Sequence, residues 1–186
     1  MKLKPILFST EMVKAILEGR KTQTRRIVKC YATSEAHPTR QTPEWQFENK
    51  TCPYGVIGDV LWIRESWQVP HPLFPEHGYL YKAKETNPEN FKWKPSIHMP
   101  FIACRLFLKV KNIRVERVHD ISEQDAKAEG VEWLARQCYR NYLNERNACA
   151  FAKTSFITLW ESINGNWDDN PFVWVVEFER CEKPNI

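Results

Sequence analysis

Apolar positions along the chain fall into two periods, and each marks a different kind of element. Pro5 to Phe8 is a short apolar run that reads as a strand. Met12, Val13, Ile16 and Leu17 then recur at three- and four-residue steps, which predicts a helix over Glu11 to Glu18 capped by Ser9 or Thr10. Lys14 and Glu18 fall on its polar face, and Gly19 is a natural stop because it accepts a left-handed backbone. A basic run, Arg20-Lys21-Thr22-Gln23-Thr24-Arg25-Arg26, follows and leads into a strand-like Ile27-Val28.

Val60 to Trp67 is rich in branched and aromatic residues and predicts a strand, introduced by turns at Cys52-Pro53-Tyr54-Gly55 and Gly58-Asp59. Pro70 to Pro75 cannot pair along a sheet and reads as loop. Tyr79 to Ala83 predicts a brief strand, and Phe101 to Val118 a long or bent one with a break at Lys111-Asn112. Ser122-Glu123-Gln124-Asp125 resembles a capping box opening a helix that Gly130 ends. Val131 to Ile163 reads as mostly helical, with Phe156, Leu159, Trp160 and Ile163 on one stripe and Gly165 as terminator, and Phe172 to Phe178 is a closing strand.

Strands separated by turns and short helices, with little regular βαβ alternation, predict an α+β domain built around a small β-barrel with flanking helices. Residues 1–186 are expected to form one domain, with polar, proline-bearing insertions near 31–50 and 70–100. Eight Trp, ten Phe and six Tyr are enough large side chains to close a core. Twelve Pro without a repeat or a Gly/Ser tract exclude a collagenous or low-complexity chain. No run approaches a membrane span, and the amino-terminal stretch returns to charge too early for a signal peptide, so a cytoplasmic protein is expected.

Charge sharpens the picture more than composition does. The formal net charge is +4, yet residues 1–30 hold eight basic groups against only Glu11 and Glu18, and the rest of the chain is slightly acidic. An excess confined to one short segment suits an anion site or a solvated helix face and turn. The six cysteines show no two-residue spacing, and the five histidines form no ligand pair. They read as reduced small hydrophobes and as ordinary polar residues, with no metal site built from them.

The run from Gly19 through Lys21 to Arg26 resembles the signature of the ASCH domain, a branch of the PUA-like superfamily: Gly, any residue, Lys, four residues, Arg. The helix before it, the Gly58-Asp59 turn and strand after it, the helix near Ile121 to Gly130 and the closing strand at 172–178 are similar to that family's order of elements. The Trp93 to Pro100 segment and the strand from Gly58 to Trp67 look most like the longer ASCH proteins of phage and prophage genomes. The resemblance implies a PUA-like barrel whose cleft, lined by the motif, serves RNA or modified nucleosides. Many ASCH domains carry Glu two residues before the motif Arg; Thr24 stands there, as in the small bacterial N4-acetylcytidine amidohydrolases. Carried over residue by residue, that second likeness implies a catalytic set of Lys21, Thr24 and Glu129, with no cofactor.

Amide hydrolysis needs a nucleophile, a base and a proton donor for the departing amine. Thr24 supplies a hydroxyl and Lys21 a base once it is neutral, while Glu129 orients Lys21 or protonates the leaving nitrogen. Arg20, Arg25 and Arg26 lower the proton affinity of Lys21 and Glu129 raises it, which leaves the sign open. Arg20 and Arg26 suit an anionic or planar substrate group. Glu65, Trp67, Trp93 and His98 join them as substrate-binding candidates, the two indoles as stacking platforms and His98 because Pro95 and Pro100 bracket it. The expected partner is a modified nucleoside or single-stranded RNA, with neither a membrane nor an obligatory protein partner. A non-enzymatic RNA-binding module and a ribonuclease using Lys21 and Arg26 on phosphate are the alternatives.

Overall fold

The computed structural model describes residues 1–28, 52–69, 78–135 and 137–184. The expected insertion at 31–50 and the Pro70 to Pro75 loop fall outside the described residues. Five strands form the main sheet: β1 (Leu3–Leu7), β2 (Gln23–Ile27), β3 (Val60–Arg64), β6 (Phe107–Arg117) and β10 (Phe172–Cys181). Their spatial order is β1-β3-β6-β10-β2, with β1 and β3 parallel and every other pair antiparallel. Among the described residues this pairing leaves β1 and β2 as edges, so strand pairing does not close the sheet into a ring. The edges nevertheless meet through one side chain, the Arg26 guanidinium donating to the Leu7 carbonyl at 2.8 Å.

Alternation along β10 creates two cores. Trp174, Val176 and Phe178 face helix α1 (Thr10–Leu17) and the inward residues of β1, β3 and β6, among them Ile6, Ile63 and Leu108. Val173 and Val175 face the opposite way, onto α2 (Glu123–Ala128) and α3 (Ala152–Asn164), meeting Ala126, Phe156 and Trp160. Each fully buried Val contributes on the order of 1.5–3 kcal/mol, and a one-residue slip would turn each set of side chains onto the opposite face and so mismatch both cores. A third cluster around Trp67, Met99 and Phe107 packs beneath β4 (Trp67–Gln68) and β5 (Leu80–Tyr81).

Two expectations need correction, and a third takes a definite form. The strand read as Val60 to Trp67 stops at Arg64; Trp67 leaves the main sheet and pairs with Tyr81 and with the backbone of Lys94. The long strand begins at Phe107 rather than Phe101, because Phe101–Ala103 is a 3-10 turn. The break at Lys111-Asn112 is a bulge: Glu177 pairs with Asn112 and Phe178 with Val110, leaving Lys111 as the extra residue.

The helical reading of Val131 to Cys149 fails altogether. That stretch is a three-stranded sheet, β7 (Trp133–Leu134), β8 (Cys138–Arg140) and β9 (Ala148–Cys149). Good helix formers populate it, but Asn141 accepts from the backbone of Leu143 and Asn144, at 3.0 and 2.9 Å, and Asn144 accepts from Arg146. Short amides that bond their own backbone in this way build turns instead of helix. Glu123 of α2 then caps α3, accepting from the backbone nitrogens of Ala152 and Lys153 at 2.6 and 2.9 Å.

Candidate functional site

The segment between α1 and β2 is held in place before any side chain is considered. Backbone nitrogens of Arg20 and Lys21 both donate to the Ala15 carbonyl, Thr22 donates to Ala128, and Phe178 of β10 donates to Thr22. Lys21 and Glu129 thereby lie opposite each other as an isolated antiparallel bridge. Gly130 permits this closeness. Its φ of +87° suits glycine, and a Cβ there would stand 2.7 Å from the Lys21 Cβ.

Lys21 is 3% exposed and Glu129 5% exposed. The Lys21 Nζ donates to a Glu129 carboxylate oxygen and to the Glu129 carbonyl, both at 2.8 Å. Arg25 holds the second carboxylate oxygen at 3.0 Å, so Glu129 is divided between two cations. The same guanidinium reaches Glu116 at 2.5 Å and Asp125 at 3.3 Å. Arg114 continues the chain to Glu116, Asp125 and Glu177. Burial pulls the Lys21 ammonium below the ordinary lysine range; Glu129 opposes the fall, and Arg26 and Arg25 add to it. The sign that the sequence left open is therefore downward.

A cavity of about 230 Å³ opens beside this pair. Lys21, Thr24, Arg25, Arg26 and Glu129 form its polar side, while Phe156, Leu159, Trp160 and Ile163 of α3 form an apolar wall. The stripe that reads as pure core from periodicity is thus also a cavity wall: Phe156 and Trp160 are buried and Ile163 is exposed. The Thr24 side chain makes no hydrogen bond among the described residues. Tyr54 borders the same space, its phenol held above the usual range by burial, with the Arg26 charge working against that rise. Arg26 and Lys21 both lie over the Phe8 ring, at 5.3 and 5.9 Å from its centroid. The cavity is smaller than the roughly 300–1,000 Å³ that hold drug-sized ligands, which favours one flat heterocycle.

Of the expected residues, the cavity gathers Lys21, Thr24, Glu129 and Arg26. Arg20 lies outside it, bonded to Glu18 at 2.7 Å and to the Gly130 carbonyl at 2.6 Å. Glu65, Trp67, Trp93 and His98 are not brought to it. Glu65 is 1% exposed and forms a two-pronged pair with Arg105 at 2.9 and 3.0 Å. Trp67 is buried against Tyr79, and the Trp93 indole donates to the Pro88 carbonyl at 2.6 Å. His98 is exposed in a 3-10 turn. Sequence reasoning missed Arg25 and Tyr54 as cavity residues. Arg25 was visible only as one more charge in a basic run, and nothing local marks it as the anchor of Glu129.

The fold and site define an α+β domain with a compact cavity, polar on its sheet side and apolar on its helix side. No family model matches the sequence, and no curated protein matches it. The chain is similar in structure to an ASCH domain from Lactobacillus crispatus, with a TM-score of 0.43 and 10% identity over 98% of this chain and 81% of that one. It is likewise similar to a protein of Enterococcus faecalis assigned to DUF984, with a TM-score of 0.46 and 10% identity over 100% of this chain and 84% of that one. Among the described residues no helix is long and apolar enough to cross a membrane.

Proposed function

We propose that this chain is an ASCH-type protein of the PUA-like class whose cavity receives the base of a modified cytidine and hydrolyses its N4-acyl amide. The observation that carries the reading is the Lys21–Glu129 contact of 2.8 Å in the wall of a cavity that Thr24 also lines. The apolar wall from α3 suits the face of a heterocycle, and the polar wall suits its substituted edge. In this reading the five-stranded sheet is the wall of a PUA-like barrel, and the Arg26 bond to Leu7 draws its edges together.

Lys21 acts in its neutral form, which its burial favours. The Thr24 hydroxyl attacks the acyl carbon and its proton passes to Lys21 Nζ. The carbon–N4 bond then breaks as Lys21 returns that proton to N4, leaving the cytosine amine and an acyl ester on Thr24. Water adds to the ester with Lys21 again taking the proton, and the acid departs as the proton returns to the Thr24 oxygen. Glu129, fixed from its other side by Arg25, orients Nζ and stabilises it while charged.

The test is incubation with N4-acetylcytidine while following cytidine and acetate. Release that falls by at least a hundredfold in Lys21→Ala and Thr24→Val supports the reading. No turnover by the unaltered protein, or turnover that survives Lys21→Ala, overturns it.

A further inference from the structure

A second concavity, of about 430 Å³, lies next to the cavity and shares its wall. Alternate residues of the same two segments divide between them. Lys21 and Glu129 face the cavity, whereas Arg20, Thr22 and Ala128 line the second groove. At the groove stands Trp133, 52% exposed, although an indole is ordinarily among the most buried of side chains. Its position is fixed from behind. Trp133 on β7 pairs directly with Tyr139 on β8, and the rings meet edge to face at 4.8 Å and 78°. Tyr139 is itself buried, so the exposed indole rests on the core.

The charged residues that line the groove have one sign. Arg20 and Lys127 line the groove, and no acidic residue does. Arg20 shares its charge with Glu18, but Lys127 is exposed and has no ion pair among the described residues. Gln124 adds an amide that donates and accepts. A neighbouring groove around Asp125, Glu177 and Glu179 has the opposite character, which shows that the basic lining is local. A rigid aromatic face beside an unpaired cation matches the repeating unit of a single-stranded nucleic acid, a flat base next to a phosphate.

We infer that the Trp133 groove binds single-stranded RNA, one base stacking on the indole while Lys127 takes the adjacent phosphate. The groove then adds a second, separate contact along a strand whose modified base enters the cavity. The inference rests on the proposed function only in treating the cavity as a base site on the same strand. The stacking platforms expected from sequence, Trp67 and Trp93, are occupied by internal contacts, and Trp133 provides the exposed face that they lack.

Binding is read by fluorescence polarisation of fluorescein-labelled hexacytidylate RNA at low salt, with cytidine as a nucleoside control. Trp133→Ala is expected to weaken RNA binding by on the order of tenfold, and Trp133→Phe to retain most of it. Lys127→Ala is expected to reduce the slope of log affinity against log salt by about 0.7, the contribution of one phosphate on a single strand. Thermal melts of each variant confirm that it folds. Undetectable RNA binding by the unaltered protein, or equal affinity in folded Trp133→Ala, overturns the inference. If N4-acetylcytidine is not hydrolysed while Trp133-dependent RNA binding persists, the hydrolase reading fails and the groove stands.

Discussion

Lys21 and Glu129 lie 108 positions apart, yet Nζ of the one donates to both the carboxylate and the backbone carbonyl of the other. The pair is buried, and a second cation, Arg25, holds the remaining carboxylate oxygen. Replacing Lys21 alone by Met leaves Glu129 with only that partner, and breaking a buried ion pair from one side costs about 3–5 kcal/mol. Lys21→Met combined with Glu129→Gln should recover part of that loss. Urea titrations of the two single variants and the double variant measure the coupling, and additive losses would contradict it.

The lowered proton affinity of Lys21 has a kinetic signature. If the neutral amine is the base, cytidine release rises with pH along a limb whose midpoint lies below the 10.5 of an unperturbed lysine. Glu129→Gln removes the contact that opposes this shift and should move the midpoint further down while lowering the maximum rate. A pH profile of kcat/KM for both proteins checks this, and a limb at the ordinary lysine value would refute the assigned role.

Gly130 is constrained twice, by a φ of +87° and by the Lys21 Cβ standing 2.7 Å from where its own Cβ would be. A non-glycine residue in such a backbone region costs on the order of 1–3 kcal/mol. Gly130→Ala should therefore lower the urea midpoint and, by displacing Lys21, reduce turnover further than the stability loss explains. Gly165→Ala also carries a positive φ, of +62°, but meets no atom within 4 Å. It should affect stability with little change in turnover per folded molecule.

Asp59 is one carboxylate expected to contribute to stability on the acid side, with Asp125 another whose carboxyl lies below the ordinary range. Asp59 accepts from the backbone nitrogens of Lys2 at 2.7 Å and Val56 at 3.2 Å. The bond from Lys2 is the main reason its carboxyl stays below the ordinary aspartate range, although burial opposes the shift. A depressed carboxylate stabilises the fold above its unfolded pKa, and this contribution disappears as pH falls through the folded value. Asp59→Asn should lower the melting temperature at neutral pH, and the difference from the unaltered protein should shrink below about pH 4, near the ordinary aspartate value. Melting curves from pH 2 to 7 test the convergence.

Local pattern alone determined several elements, because their causes are local. Ser9 accepts from the backbone of Met12 and Ser122 from that of Asp125, so both helix starts follow from one short side chain at the right spacing. Gly165 ends α3 in a left-handed conformation, and the branched run at 172–178 lies within β10. The motif resemblance, and not local pattern, pointed to Lys21, Thr24 and Glu129, and the structure brings Glu129 beside Lys21. What local pattern could not determine depends on distant partners. The helix formers of Val131 to Cys149 yield to Asn-capped turns and to packing against α3. Trp67, expected to offer a stacking face, is buried instead, since the pairing of β4 with β5 brings Tyr79 and Tyr81 against it. Arg25 becomes the anchor of Glu129 only once β2 is laid beside β10 and against α2. A basic run fixes how much charge a segment carries; where that charge is spent depends on which carboxylates the fold brings within reach.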